Sequence, residues 1–437
     1  MASMPKLSIN LSPAFAALGP QREPQLCYAL AHLRGESLAD HAVEWALVAD
    51  ASRSMRIPIV DDAQFRALIR EGGAQETMVD GVAVWQLNAP IPPELRAAAR
   101  SPLDHVAHAL HSLLERLGDA DRFALVACAE DALLLLGSTP GDSRAELAHG
   151  IERLRTLNLG DETDLAQGIE LALEHVSRGR VLLLTDGFTR RPERCLELAA
   201  YAAQRGMAIS TIGLGSDFQE DLLTAIADQS GGQAHFAHKA SDIHPAIASE
   251  LRAARAAAGG LSATIAPASG ATLRRVTRIR PALSVLHDAP TQQPASIRPG
   301  DALGEGIALL IELLVPADIE SRAALASITL QAPGSAPASA QLTVRRYAQP
   351  QALPADVREA AARANIARLQ RRAADAVAAG RPHDAARMLA TAADQLGALG
   401  AEQLAQASRE QAAALATIGQ TDTLRLKEIT YATRRLA

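Results

Sequence analysis

The sequence predicts a doubly wound α/β domain with a mostly parallel sheet, accompanied by a β-sandwich and a C-terminal helical bundle. Three observations carry this expectation. Across residues 41–257 short apolar runs alternate with helical patterns, the rhythm of repeated strand–helix units. Across 258–350 that rhythm stops, and short β-like runs broken by Pro and Gly replace it. Across 351–437 the chain is Ala-rich and helical in period, with glycines at its stops. A length of 437 residues suits several domains rather than one. Aromatics are 3% of the chain, so its cores must be built from Ala, Leu, Val and Ile.

Residues 1–40 contain "KLSINLSP" and "QLCYALAHL", which read as strands contributed to the sandwich, with the α/β domain inserted between its pieces. The strands expected in that domain are "WALVA" (45–49), "RFALVAC" (122–128), "LLLLG" (133–137), "RVLLLT" (180–185), "MAISTIGL" (207–214) and "AHFA" (234–237). Several are apolar on both faces, as in a sheet covered on both sides. Helices fall between them. In "PLDHVAHALHSLLERLG", Leu103, Val106, Leu110, Leu113 and Leu117 recur every three or four residues. Others are expected at 143–156, 164–177, 192–205, 217–229 and 241–257.

Residues 56–100 break the rhythm and read as an insertion. It holds a short helix ending at Gly72–Gly73 and a hairpin turning at Asp80–Gly81. In the sandwich region, "LSATIA", "TLRRVTRIR", "GIALLIELLV", "LASITLQA" and "AQLTVRRY" are the strand candidates. Bundle helices are expected at 355–379, 383–398, 401–418 and 423–435, punctuated by Gly380, Pro382, Gly400 and Gly419.

A net charge of −6 gives no general reason to bind nucleic acid or an anionic membrane. The N-terminal stretch lacks the basic and apolar regions of a signal peptide. No apolar run approaches the roughly 20 residues that span a bilayer. Cys27, Cys128 and Cys195 are distant and odd in number, which argues against a disulfide framework or a zinc site. A reduced, cytoplasmic setting is the expectation.

The stretch "VADASRSM" places Asp50, Ser52 and Ser54 where the first strand of the α/β domain runs out. Asp186 leaves the strand "RVLLLT" in the same way, and Thr163 stands in the loop before the helix that feeds that strand. In a doubly wound sheet the carboxyl ends of the strands converge on one edge, where ligands bind. Two carboxylates and three hydroxyls are hard oxygens suited to an octahedral Mg²⁺. A second reading stays open at this point, in which the serines cap a helix and Asp186–Gly187 makes a turn.

At these positions the chain resembles the von Willebrand factor A domain family and its metal-ion-dependent adhesion site. The family pattern is Asp-x-Ser-x-Ser after the first strand, a Thr in a later loop and an Asp after the fourth strand. Here these are Asp50, Ser52, Ser54, Thr163 and Asp186. The resemblance implies a Rossmann-like domain that holds Mg²⁺, with Mn²⁺ or Ca²⁺ as substitutes. Ser52 and Ser54 would bind directly, Asp50 and Asp186 mostly through water, and Thr163 directly once a ligand is engaged. One coordination position would remain for an Asp or Glu of a partner protein. Asp161, Glu162 and Asp164 would add negative potential beside Thr163. The insertion departs from the family pattern and would either screen the metal or select partners, or be a tolerated surface elaboration.

The function expected is a non-enzymatic adaptor. By family analogy it would work with AAA+ ATPases of the MoxR kind. The rival is a Mg²⁺-dependent hydrolase or phosphatase with Asp50 as nucleophile, which would need a cation near the metal. The lysines are Lys6, Lys239 and Lys427, and Lys239, after the last strand of the domain, is the one to examine. A structural subunit with a vestigial site is the third reading. His105, His108 and His111 turn by about 60° per step around one helix, so a flanking face is expected rather than a chelate. Arg274, Arg278 and Arg280 are expected on a solvated strand face, and "RLKEITYATRRLA" is expected to dock on the bundle. No Ser/His/Asp elbow or phosphate-cradling loop is found.

Overall fold

The computed structural model describes residues 7–13, 15–18, 23–35, 42–57, 62–79, 82–88, 99–177, 179–215, 218–255, 261–300, 306–317, 322–332, 335–346, 351–419 and 421–436. The chain begins with β1 (Leu7–Ser12), β2 (Phe15–Leu18) and β3 (Gln25–Gly35). The α/β domain follows with β4 (Glu44–Asp50) and α1 (Arg53–Arg56). The insertion supplies α2 (Asp62–Arg70) and the antiparallel pair β5 (Ala74–Val79) and β6 (Val82–Leu87). Its expected turn at Asp80–Gly81 lies outside the described residues.

The domain continues with α3 (Pro102–Leu114), β7 (Arg122–Cys128), β8 (Ala132–Pro140), α4 (Arg144–Thr156), α5 (Leu165–His175) and β9 (Arg180–Thr185). It closes with α6 (Pro192–Gln204), β10 (Ala208–Leu214), α7 (Glu220–Ser230), β11 (Ala234–Ala237) and α8 (Ile243–Arg255). The sheet order is β11-β10-β9-β4-β7-β8, parallel except that β8 runs against β7.

Alternation along β4 explains the two covered faces. Trp45, Leu47 and Ala49 point into a cluster completed by Leu110 of α3, Ile151 of α4 and Ile247 of α8. Ala46 and Val48 point into the opposite cluster, with Ile169 of α5, Leu198 of α6 and Ile226 of α7. Six residues at 0% or nearly 0% exposure along one strand leave the charge at its end, Asp50, no route to solvent through the sheet.

The second region contains β12 (Ser262–Pro267), β13 (Thr272–Arg280), β14 (Ser284–His287), β15 (Ala295–Ile297), β16 (Ile307–Val315), β17 (Arg322–Gln331) and β18 (Ala338–Arg346). Two five-stranded sheets, β1-β3-β16-β13-β14 and β15-β12-β17-β18-β2, share one core that includes Leu33, Leu309, Ile265 and Ile328. The outer face of the first sheet, with Leu30, Ile279 and Leu310, receives Val357 and Ala360 of α9 (Ala355–Ala378). The helices α10 (Pro382–Ala398), α11 (Glu402–Ile418) and α12 (Thr423–Arg434) complete the C-terminal domain.

One expectation is corrected and another is extended. Arg278 is not on a solvated face: it is 1% exposed and donates to Ala282 O, Pro299 O and Gly232 O at 3.1, 3.2 and 3.1 Å. A register shift in the β13–β16 ladder between Arg278 and Arg280 breaks the alternation that sequence spacing assumed. Its bond to Gly232 ties the sandwich to the α/β domain. The helix α12 does more than dock on the bundle. Tyr431 enters the α/β core and stacks on Phe236 at 5.4 Å, while Lys427 Nζ donates to Phe218 O and lies 4.2 Å over its ring.

Candidate functional site

The site forms where two neighbouring strands end. Parallel pairing of β4 with β9 sets Ala49 beside Leu184, so the next positions, Asp50 and Thr185, meet at the carboxyl edge. From β4 the chain proceeds to β7 on one side, and from β9 to β10 on the other. The loops therefore diverge and leave a crevice between them.

All five predicted oxygen-bearing side chains gather there. Thr163 Oγ1 lies 3.3 and 3.2 Å from the two Asp50 oxygens. Ser52 N donates to Asp50 Oδ1 at 2.9 Å, and Ser52 Oγ is 3.2 Å from Ser54 Oγ. Ser54 Oγ donates to Asp186 Oδ1 at 2.8 Å. Burial is graded across the set. Asp50, Ser52 and Thr163 are 0%, 2% and 6% exposed, Asp186 is intermediate, and Ser54 faces solvent.

The capping reading of the serines fails on geometry. Ser52 occupies the position before α1, but its side chain makes no capping bond and turns to Ser54 instead. The turn at Gly187 is served by Thr185 Oγ1, which accepts from Gly187 N at 3.1 Å.

The Thr163 loop is pinned on three sides. Asp164 N donates to Ala129 O at 2.8 Å, Arg190 N to Thr163 O at 3.1 Å, and Leu165 N to Thr189 Oγ1 at 3.0 Å. Behind it, α5 crosses β4 at Gly168, where an added Cβ would lie 2.6 Å from Val48 Cγ1 and 3.0 Å from Cys128 Sγ. A side chain there would push the helix, and the loop it carries, away from Asp50.

The three acids beside Thr163 do not supply the free negative potential expected of them. Asp161 pairs with Arg56 at 3.4 Å, Asp164 with Arg191 at 2.6 Å, and Glu162 with Arg190. Spacing could not reveal this, because the arginines come from other segments, Arg56 from α1 and Arg190 and Arg191 from the loop after β9. The unbalanced charge is Asp50 itself. Burial pushes its carboxyl above the ordinary range, and donors on Thr185, Ser52 and Thr163 oppose that push. Among the described residues no basic side chain pairs with it. A fully buried carboxylate without a cation is costly unless a metal supplies the charge, and hard oxygens around it suit a hard divalent ion. Among the described residues no three His, Cys, Asp or Glu side chains group as a metal site, so any ion here would rely on hydroxyls.

Thr185 is the residue that sequence reasoning missed. Its Oγ1 donates to Asp50 Oδ2 at 2.5 Å, and it is 0% exposed. Its signal was its place at the end of the strand beside β4. Lys239, by contrast, follows the edge strand β11, three strand spacings from β4, or about 14 Å. The histidines of α3 part company, with His111 turned to Glu152 at 2.9 Å. Cys27, Cys128 and Cys195 are free and buried.

Comparison with known proteins follows this anatomy. Residues 94–236 match the family model "von Willebrand factor type A domain", and residues 355–437 match "Sll0103-like, C-terminal alpha-helical domain". The uncharacterized protein sll0103 of Synechocystis is 28% identical over 149 residues, 32% of this chain and 35% of that protein. The uncharacterized protein YfbK of Escherichia coli K12 is 28% identical over 165 residues, 35% of this chain and 28% of that one. The chain thus matches only 35% and 28% of the length of these relatives. Among solved structures, a von Willebrand factor type A protein from Catenulispora acidiphila superposes with a TM-score of 0.72 at 16% identity, covering 99% of this chain and 97% of that one. The ArnB paralog VWA2 of Sulfolobus acidocaldarius gives 0.53 at 14% identity, with 99% and 98% covered. The chain has a von Willebrand factor A-like α/β fold with added antiparallel sheets and a C-terminal helical domain of the sll0103 kind.

Proposed function

We propose that the protein is a non-enzymatic, divalent-cation-dependent interaction module that holds an acidic side chain of a partner protein. The observation that carries this reading is Asp50, wholly buried, without a basic partner among the described residues, and linked through hydroxyls to the exposed Ser54 and the half-buried Asp186. Mg²⁺ is the expected ion, with Mn²⁺ or Ca²⁺ able to replace it among the same oxygens. Ser52, Ser54 and Thr163 would be direct holders, and Asp50 and Asp186 would supply charge mostly through water. Because those carboxylates neutralise the ion incompletely, a partner's Asp or Glu would complete its charge.

No helix of the described residues is long and apolar enough to cross a membrane. An adaptor in the cytoplasm, recruiting substrates for an AAA+ ATPase, is compatible with that and rests on the family resemblance. The hydrolase reading is weaker. Lys239, the lysine that could have served phosphotransfer, follows the edge strand β11, with β10 and β9 between that strand and β4.

The test is capture of partners by the full chain with and without EDTA, alongside Asp50→Ala. Partners lost under both conditions support the module, and partners retained under both refute it. Phosphoester turnover abolished by Asp186→Ala would establish the rival.

A further inference from the structure

Among the described residues, two of the large apolar side chains that stand open belong to the loops of the candidate cation site. Phe188 is 64% exposed and Ile57 is 51% exposed. Phe188 follows Asp186 by two residues, and Ile57 follows Ser54 by three. Since Ser54 Oγ and Asp186 Oδ1 are 2.8 Å apart, the loops that carry the outermost oxygens also carry these two side chains. An exposed phenylalanine stays in contact with water for no gain within the domain, and such residues are the usual anchors of interfaces.

The charges around them point to the same conclusion. Arg56 is joined to Asp161 and Arg190 to Glu162, while Arg53 of α1 is exposed beside the place for an anion. The two apolar side chains stand beside that place as well. Any surface carboxylate could approach a cation, so the acid alone cannot select a partner.

We propose that Phe188 and Ile57 form the specificity platform of this site. Its occupant is a peptide segment in which an Asp or Glu has a bulky apolar residue one or two positions away. Each side chain lies within three residues of an oxygen bearer of the site, so the apolar residue must stand close to the acid in the bound segment. This inference rests on the cation-dependent reading above and adds the class of sequence recognised.

The experiment pans a random displayed-peptide library on the full chain in Mg²⁺ and in EDTA. One enriched peptide is then titrated against wild type and Phe188→Ser/Ile57→Ser, and Mg²⁺ binding is followed by calorimetry. The inference expects Mg²⁺-dependent peptides with an acid next to or one removed from Phe, Leu, Ile or Met. The double variant should bind Mg²⁺ as wild type does, bind the peptide about ten-fold more weakly or worse, and lose the apolar preference. Acidic peptides with no apolar neighbour, bound equally by the variant, overturn the platform and leave the cation reading standing. Mg²⁺ binding with no enriched peptide also overturns it. Absence of Mg²⁺ binding in wild type removes the underlying reading itself.

Discussion

Asp50 is the residue on which the candidate site turns. Its carboxylate is fully buried, and its neighbours donate neutral hydrogen bonds from Thr185, Ser52 and Thr163. Without an ion, that charge works against the fold. Asp50→Asn keeps the shape and removes the charge. In chelator the variant should therefore melt at or above the wild-type temperature. Mg²⁺ at a hundred times its dissociation constant should stabilise wild type by about 2.7 kcal/mol, a rise of roughly 5–10 °C for a domain of this size. The variant should not respond. Thermal melts with and without Mg²⁺ check this, and an equal response in both proteins would sink the assignment. The five oxygen bearers were legible because such side chains stand out at the ends of apolar strands. Thr185 was not, since a threonine in a strand is ordinary and its role depends on which strand lies beside β4. The pairing of Asp161, Glu162 and Asp164 was hidden for a similar reason: their arginines arrive from other segments.

At the scale of elements, long periodic segments read clearly, as did the four-residue β11, while three other short strands did not. The strand expected at 180–185 is β9 to the residue, and α9 to α12 fall within a residue or so of their expected limits. The short strands β2, β14 and β15, of four, four and three residues, carry too few positions for a period to register. The role of α12 was also invisible, because an amphipathic Ala-rich helix does not say which surface it will cover. Its end is a clasp. Arg434 donates to Leu283 O at 2.9 Å in the sandwich, and to Thr224 Oγ1 at 3.3 Å and Asp228 Oδ1 at 2.9 Å on α7. Leu283 N donates back to Arg434 O at 2.8 Å. The Arg434 and Asp228 side chains are 13% and 17% exposed, so the pair is less screened than a surface bridge. Arg434→Ala should cost about 2 kcal/mol and speed proteolysis near the C-terminus. Urea denaturation and timed digestion measure both, and unchanged values would show that α12 is held by its apolar face alone.

Across the whole molecule, one buried ionic cluster joins the last strands and helix of the α/β domain to the C-terminal segment. Glu250 of α8 accepts from Arg180 Nη1 of β9 at 2.6 Å and from His235 Nε2 of β11. Arg435, just past α12, donates to His235 Nδ1, so the ring presents its proton to Glu250 and its lone pair to Arg435. Burial alone would raise the Glu250 carboxyl, but the charge of Arg180 and the contact with His235 outweigh it and hold the group well below the ordinary glutamate range. A depressed folded-state value contributes stability that is present above the unfolded value, about 4.3, and is lost as pH falls toward the folded one. Wild type should therefore weaken progressively below pH about 4.3. Glu250→Gln leaves Arg180 buried without its counter-charge, and should cost about 3–5 kcal/mol at neutral pH. Because the variant has no carboxyl to protonate there, its stability should fall less steeply in acid, and the gap to wild type should narrow below pH about 4.3. Urea titrations from neutral pH into acid would resolve the two slopes. A gap that stays constant through that range would mean the cluster acts by shape alone, and that charge does not bind the α/β domain to the C-terminal segment.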